Sequence, residues 1–404
     1  MPNARLFAVL FMLTACGGEP AAPVAALDNP ALSGSRYPDL SMTPDGNLRM
    51  SWLQPAADDV ELVRTAVFDG ASWTAPLTAA SSATMFVNWA DFPRVTEYKR
   101  GHLIAHWLEN AAADSYGYDI RLALSTDGGQ SFSDAITPPS AGPAIERGFV
   151  SHFPVGDGVG LVWLTGHDTA GHSSHGNAET LLRYAAYSAS GELMDEATID
   201  TRVCDCCQTD TVTLRDRVLV AFRDRSLSEI RDIALAEQRA GAWRSLGVAA
   251  ADGWRIDGCP VNGPAVAANG NTVALAWYTA AADTPAIRIA RSTDRANSFS
   301  ETTLHLGGEP LGRTDIVVLA NAEIVVSWVE RAAPDSARLV VRRYGIHGRP
   351  GPELEVARLR SDRASGFPRM QRIGDQLLVA WTEASGDDMQ VRTALVQLDA
   401  LARN

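Results

Sequence analysis

The chain repeats, and the repeat limits what it can fold into. An apolar run, a turn rich in Gly, Asp or Asn, and a second apolar run closing on an aromatic residue recur seven times. The copies are "YPDLSMTPDGNLRMSWLQ", "FPRVTEYKRGHLIAHWLE", "FVSHFPVGDGVGLVWLT", "TDTVTLRDRVLVAFRD", "NGPAVAANGNTVALAWYT", "TDIVVLANAEIVVSWVE" and "FPRMQRIGDQLLVAWTE". Their closing aromatics, Trp52, Trp107, Trp163, Phe222, Trp277, Trp328 and Trp381, are spaced by 55, 56, 59, 55, 51 and 53 residues. Each unit continues with a third alternating run, such as "VELVRTAVFDG" or "AIRIARSTDRA", and a shorter fourth. Period-two alternation between turn residues is a strand signal, and no segment sustains a helical period. A unit of four strands in roughly 50 residues is a β-propeller blade, which buries its faces only against its neighbours. The sequence therefore predicts an all-β, seven-bladed β-propeller over residues 34–404. Six blades plus an extra hairpin is the alternative, and the period argues against it. The last unit ends after "MQVRTALVQLDALARN" with only three strands, so its fourth is expected from the N-terminal side, around residues 24–32.

The N-terminus suggests a compartment. Residues 1–15 read "MPNARLFAVLFMLTA", with Arg5 followed by an apolar run over residues 6–13. That run is short of the ~20 residues a membrane span requires and has the build of a secretory signal. It ends in Leu13, Thr14, Ala15 and Cys16, which resembles the lipobox of bacterial lipoproteins. The resemblance implies a signal peptide over residues 1–15, a lipid on Cys16 and attachment to the cell envelope on its periplasmic or outer-membrane side. An ordinary cleaved signal with a chance cysteine is the alternative. Residues 16–33, rich in Gly, Ala, Pro and Ser, read as a tether leading into the closing strand. The formal net charge of −13 with a single lysine, Lys99, argues against nucleic acid and against charge-driven binding to anionic lipid.

With Cys16 lipidated, four cysteines remain in an oxidising compartment: Cys204, Cys206, Cys207 and Cys259. Four cysteines allow three pairings. "VCDCCQT" precedes the first strand of unit four and "IDGCPVNG" that of unit five, so repeat phase places all four on one face, near the channel mouth, on adjacent blades. The loop "TGHDTAGHSSHGNAE" of unit three carries His167, His172 and His175 onto the same face. One reading is a disulfide that cross-links two blades. Another is a soft-metal site, because thiolate and imidazole suit copper, the favoured ion, or zinc. The spacing is not that of a zinc ribbon, and dithiol redox chemistry lacks a thioredoxin-like context. The histidine loop also reads simply as a solvated surface loop.

The hairpins "STDGGQSF" and "STDRANSF" resemble the Asp-box of sialidases and related propellers, with Asp127 and Asp294 as the turn acceptors. Arg36, Tyr37 and Pro38 resemble the segment that opens the sialidase propeller, where the arginine begins a triad gripping a carboxylate. The resemblance implies carboxylate recognition by Arg36, with Arg147 and Arg313 as positional candidates for the other two arginines. Glu109, Glu330 and Glu383 end second strands on the same rim; pairing with these arginines as strand-end structure is the alternative. The family's nucleophilic tyrosine has no counterpart in "ASGFPRMQR", and Tyr344 falls on a third strand. Three functions follow as expectations. The first is an envelope lipoprotein whose cysteine and histidine cluster binds a soft metal or braces a ligand-binding face. The second is a sialidase-like exo-glycosidase or glycan-binding protein. The third is a scaffold presenting the propeller to another envelope protein.

Overall fold

Each turn-bounded alternating run folds as a strand, and each unit closes into its own antiparallel sheet. The computed structural model describes residues 22–110, 117–139, 146–167, 179–300, 303–305, 308–386 and 388–402. Seven sheets result, six of four strands and one of three. The first blade is Arg36–Met42, Leu48–Pro55, Glu61–Phe68 and Leu77–Ser82. The second has three strands, Arg94–Lys99, His102–Asn110 and Tyr118–Ser125; Ile136 bridges Leu122 where a fourth would lie. The innermost strands of blades three to seven are Arg147–Val155, Asp210–Thr213, Ala265–Asn269, Glu309–Val318 and Arg369–Ile373.

The ring closes as expected. Val24–Leu27 pairs antiparallel with Asp388–Gln397, with Val24 opposite Val396 and Leu27 opposite Thr393. Asn29 extends the join by donating to the Val391 carbonyl at 3.1 Å. The last blade is therefore built from both ends of the propeller sequence.

Apolar side chains pack between sheets. Trp328 lies with Ala276, Ile289 and Ile316 between blades five and six, and Trp52 with Phe68, Leu378 and Ala380 between blades one and seven. Trp52, Trp163, Trp277 and Trp328 are fully buried. The regular spacing of the repeat thus sets large aromatic side chains between the blades, and truncating one of these buried tryptophans would cost about 3–5 kcal/mol.

Polar groups add blade-to-blade registration. Asp210 accepts the Val266 N–H at 2.8 Å and Asp315 accepts the Met370 N–H at 2.7 Å, each from a neighbouring blade's innermost strand. The Asp127 and Asp294 hairpins fold alike. Each carboxylate accepts a backbone N–H four residues from it or nearer, from Ser131 and Ser298, at 3.0 Å. Ser131, first among the partners, holds Asp127 down at about 2.

Candidate functional site

Loops leading into the innermost strands and loops joining second to third strands share one face, called upper below. The cysteines meet there. Cys204 N–H donates to the Arg223 carbonyl at 2.9 Å and Val203 N–H to the Thr180 carbonyl at 2.9 Å, which straps this loop across the ends of blades three and four. Cys204 pairs with Cys207 and Cys206 with Cys259, each with Cα atoms 5.9 Å apart. The second bond joins the leading loops of blades four and five. All four expected cysteines are brought together, and as disulfides. The backbone of His167 ends a second strand, Gly158–His167; its side chain, with His172 and His175, lies outside the described residues.

Beneath the cysteine loop lies a cation the sequence reading passed over. Arg223 is buried and donates to the carbonyls of Asn262 (2.9 Å), Arg231 (2.6 Å) and Tyr278 (2.8 Å), with its guanidinium 4.9 Å from the Trp254 ring centroid. Burial pulls its pKa down to about 10, so it stays charged at neutral pH. Its signal was its place, directly after the marker Phe222. Arg231 sits nearer the sulfurs, 3.3 Å from Cys204 Sγ, 3.3 Å from Asp205 and 2.9 Å from Glu229.

Short polar side chains interlock the leading loops. Gln208 donates to the Ala90 carbonyl at 2.6 Å and accepts the Gly263 N–H at 3.1 Å, linking blades two, four and five. Asn262 accepts the Arg313 N–H at 2.8 Å. A methyl on Gly312 would collide with that Asn262 amide, and Gly312 has φ +85°, so only glycine suits the position.

Near the end of the axis these loops build an aromatic and cationic cluster. Trp89, from the loop leading into blade two, stacks on Phe367 at 5.6 Å. Arg313 and Arg363 place guanidinium carbons 5.2 and 5.7 Å from the centroid of the same indole. Blades two and six are separated by blades one and seven, so the Trp89–Arg313 contact reaches across the ring. Arg313 is buried, donates through Nη2 to the Asp362 carbonyl at 2.8 Å, and has an Nη1 without a hydrogen-bond partner among the described residues. Burial lowers its pKa to about 10. Arg36 lies close by: it and Asp362 are both among the charges acting on Tyr37, whose pKa is raised chiefly by burial. Arg36 itself pairs with Glu61 and donates to the Gly34 carbonyl at 2.9 Å.

The other rim candidates are engaged within their own blades. Glu109 accepts from the Trp107 indole at 3.1 Å and pairs with Arg121 at 3.2 Å. Glu330 accepts from Trp328 at 3.1 Å and from Arg338 at 3.0 Å, and Glu383 pairs with Arg392 at 2.8 Å. Register explains this: the strand residue opposite Trp52, Trp107, Trp163, Trp277 and Trp381 is in each case an arginine. Arg147 pairs with Asp119 at 3.2 Å. Tyr344 is buried on a third strand, its pKa pushed up to about 12 by burial.

The axial channel holds a cavity of about 720 Å³, bounded by the lower halves of the innermost strands and their turns. Buried charges cap it. Arg369 lies 3.1 Å from Asp39 and 3.6 Å from Asp315, and Arg94 lies 3.4 Å from Asp39. Burial raises Asp315 to about 6 against the attraction of Arg369.

No protein-family model matches the chain, and no curated protein matches it. Among solved structures it is similar to a Dyadobacter fermentans protein of unknown function, at 15% identity, 93% of this chain and 98% of that one covered, and a TM-score of 0.53. It is also similar to a Penicillium chrysogenum α-L-arabinanase complexed with arabinobiose, at 12% identity, 93% and 99% coverage and a TM-score of 0.51. A Hadza microbial sialidase follows at 12% identity, 88% and 76% coverage and a TM-score of 0.50. At such identities the likeness is one of fold. The chain has the fold of the sialidase-like β-propellers, built with seven blades.

Proposed function

We propose that this is a cell-envelope lipoprotein, anchored through Cys16, that binds a carboxylate-bearing ligand of the acidic-sugar kind on its upper face without cleaving it. The observation that carries the reading is the convergence of the buried Arg313 and the exposed Arg363 on the half-buried Trp89. A guanidinium offers paired, planar donors to a carboxylate, and an indole edge beside it suits the apolar face of a sugar ring. In an acidic chain, Arg313 and Arg363 together are a local pairing of like positive charges. The disulfides brace the neighbouring loops, so little ordering cost falls on binding. Hydrolysis of the glycoside would require a placed acid and nucleophile. The rim carboxylates are committed to tryptophan and arginine, and Tyr344 is buried. Calorimetric titration with acidic oligosaccharides and their methyl esters tests the reading. Arg363→Gln and Arg313→Gln are each expected to weaken acid binding at least tenfold, on the order of 1.4 kcal/mol. Equal affinity for acid and ester, or release of aglycone from a sialoside, would end it.

A second reading keeps the soft metal. One sulfur each from Cys204, Cys206 and Cys207 lies within 4.8 Å of the others. Thiolates, not disulfides, are the ligands such an ion requires, so copper, or zinc after it, would load only the reduced chain. Near-stoichiometric Cu(I) uptake after reduction, with none before, is the expected result; no uptake by the reduced chain discards it.

A further inference from the structure

We propose that the four cysteines form a thiol–disulfide exchange relay that takes two electrons from an external dithiol at Cys259 and passes them inward to Cys207. The relay is independent of the ligand and metal readings above. Its basis is the order of exposure and the contact between the two disulfides. Cys259 is exposed, Cys206 is half-buried, and Cys204 and Cys207 are buried. An incoming thiol therefore meets Cys259 first. Cys206 Sγ lies 4.0 Å from Cys204 Sγ, so the two disulfides touch through one sulfur of each. The charges are graded along the same line. Asp205 Oδ1 is 4.0 Å from Cys259 Sγ and disfavours a thiolate there, whereas the Arg231 guanidinium is 3.3 Å from Cys204 Sγ, the sulfur that the Cys206 thiolate attacks, and favours the negative charge brought to that centre. A thiolate attacks a disulfide sulfur and expels the other as a thiolate, at a rate set by access and by the stability of the leaving sulfur.

The steps balance. A thiolate of the external dithiol attacks Cys259 Sγ, forming a mixed disulfide, breaking the Cys206–Cys259 bond and releasing Cys206 with the electron pair. The Cys206 thiolate attacks Cys204 Sγ. The Cys204–Cys206 bond forms, the Cys204–Cys207 bond breaks, and Cys207 leaves as a thiolate. The second thiol of the reductant attacks its own sulfur in the mixed disulfide, freeing Cys259 and closing its own disulfide. The two protons of the dithiol end on Cys207 and Cys259. One protein disulfide has been reduced and one dithiol oxidised.

The test uses the mature oxidised chain, treated anaerobically with one equivalent of dithiothreitol, quenched in acid, alkylated and mapped by peptide fragmentation. Label on Cys207 and Cys259 in the majority of reduced molecules is the expected result. Label on Cys206 and Cys259, with Cys204–Cys207 intact, would show two independent disulfides and overturn the relay. So would label on Cys204 and Cys207, or no reduction without denaturant. A second variant isolates the inner step. In Cys259→Ala one thiol remains, and exchange is expected to divide the label between Cys206 and Cys207; label on Cys206 alone overturns that step.

Discussion

Replacing Arg223 by methionine removes a cation but keeps most of the volume of its side chain, so the loss reports hydrogen bonding rather than a cavity. Three carbonyls, those of Asn262, Arg231 and Tyr278, lose their donor at a buried site. Each unsatisfied group costs about 1–3 kcal/mol, and loss of the guanidinium from the Trp254 face adds about 1 kcal/mol. Against this stands relief of the cost of burying a charge, several kcal/mol at most and already partly offset by the nearby Asp252 and Asp232. The balance is a destabilisation of roughly 3–5 kcal/mol, because the carbonyls belong to separate segments and cannot all relax toward water together. The assay is urea unfolding at neutral pH, with the free energy read from midpoint and slope. The control is Arg392→Met, whose pair with Glu383 is about half exposed and is worth less than about 1 kcal/mol. A loss for Arg223→Met no larger than that of the control would refute the view that this arginine fastens blade four to blade five.

Further outcomes follow from the same geometry. Burial lifts Asp91 to about 7, with the Phe149 N–H and then Arg94 lowering it only in part. Unfolded, it titrates near about 3.9, so between those values the native chain holds a proton the unfolded chain has released, and this contribution to stability falls as pH rises from about 4 to about 7. Asp91→Asn should therefore gain on the parent across that window and run level above it; a constant difference between the two curves counts against the assignment. Removing the blade-to-blade disulfide in the Cys206→Ala, Cys259→Ala double variant opens a loop of 53 residues. An unfolding free energy about 2–4 kcal/mol lower is expected, and an unchanged value would mean that interlocking by Gln208 and Asn262 suffices. Deleting residues 22–32 strips the closing strand and its four paired positions, at roughly 0.5–1.5 kcal/mol per hydrogen bond. Its urea midpoint should drop and its unfolding slope change as the last blade frays; a midpoint equal to that of the parent would show closure to be dispensable.

The fold was legible because its physics is periodic. Alternation placed the strands, the spacing of Trp52 through Trp381 set the blade number, and the short last unit required a strand from the N-terminal side, which Val24–Leu27 supplies. Repeat phase also carried Cys259 to the CDCC loop across 53 residues, since leading loops of adjacent blades must be neighbours. Pairing was beyond it, because three pairings satisfy the same phase. It did not disclose that Cys204 and Cys207, three residues apart in a C-x-x-C spacing, would join each other. The site was hidden for a different reason. Trp89 and Arg363 lie between strands, in segments that obey no period: Trp89 has no counterpart among the markers, and its approach to Arg313, on the innermost strand of blade six, spans the ring rather than a neighbouring interface. The rim glutamates illustrate the converse. Glu109, Glu330 and Glu383 drew notice because they recur two residues after a marker, and that recurrence is what gives them structural work. A carboxylate two positions along a strand points to the same side as the marker, where an indole N–H or a third-strand arginine waits in most blades. In a propeller, then, a residue that repeats with the blade belongs to the frame, and function is to be sought in side chains that break the repeat, as Trp89 and the unequal cysteine loops do.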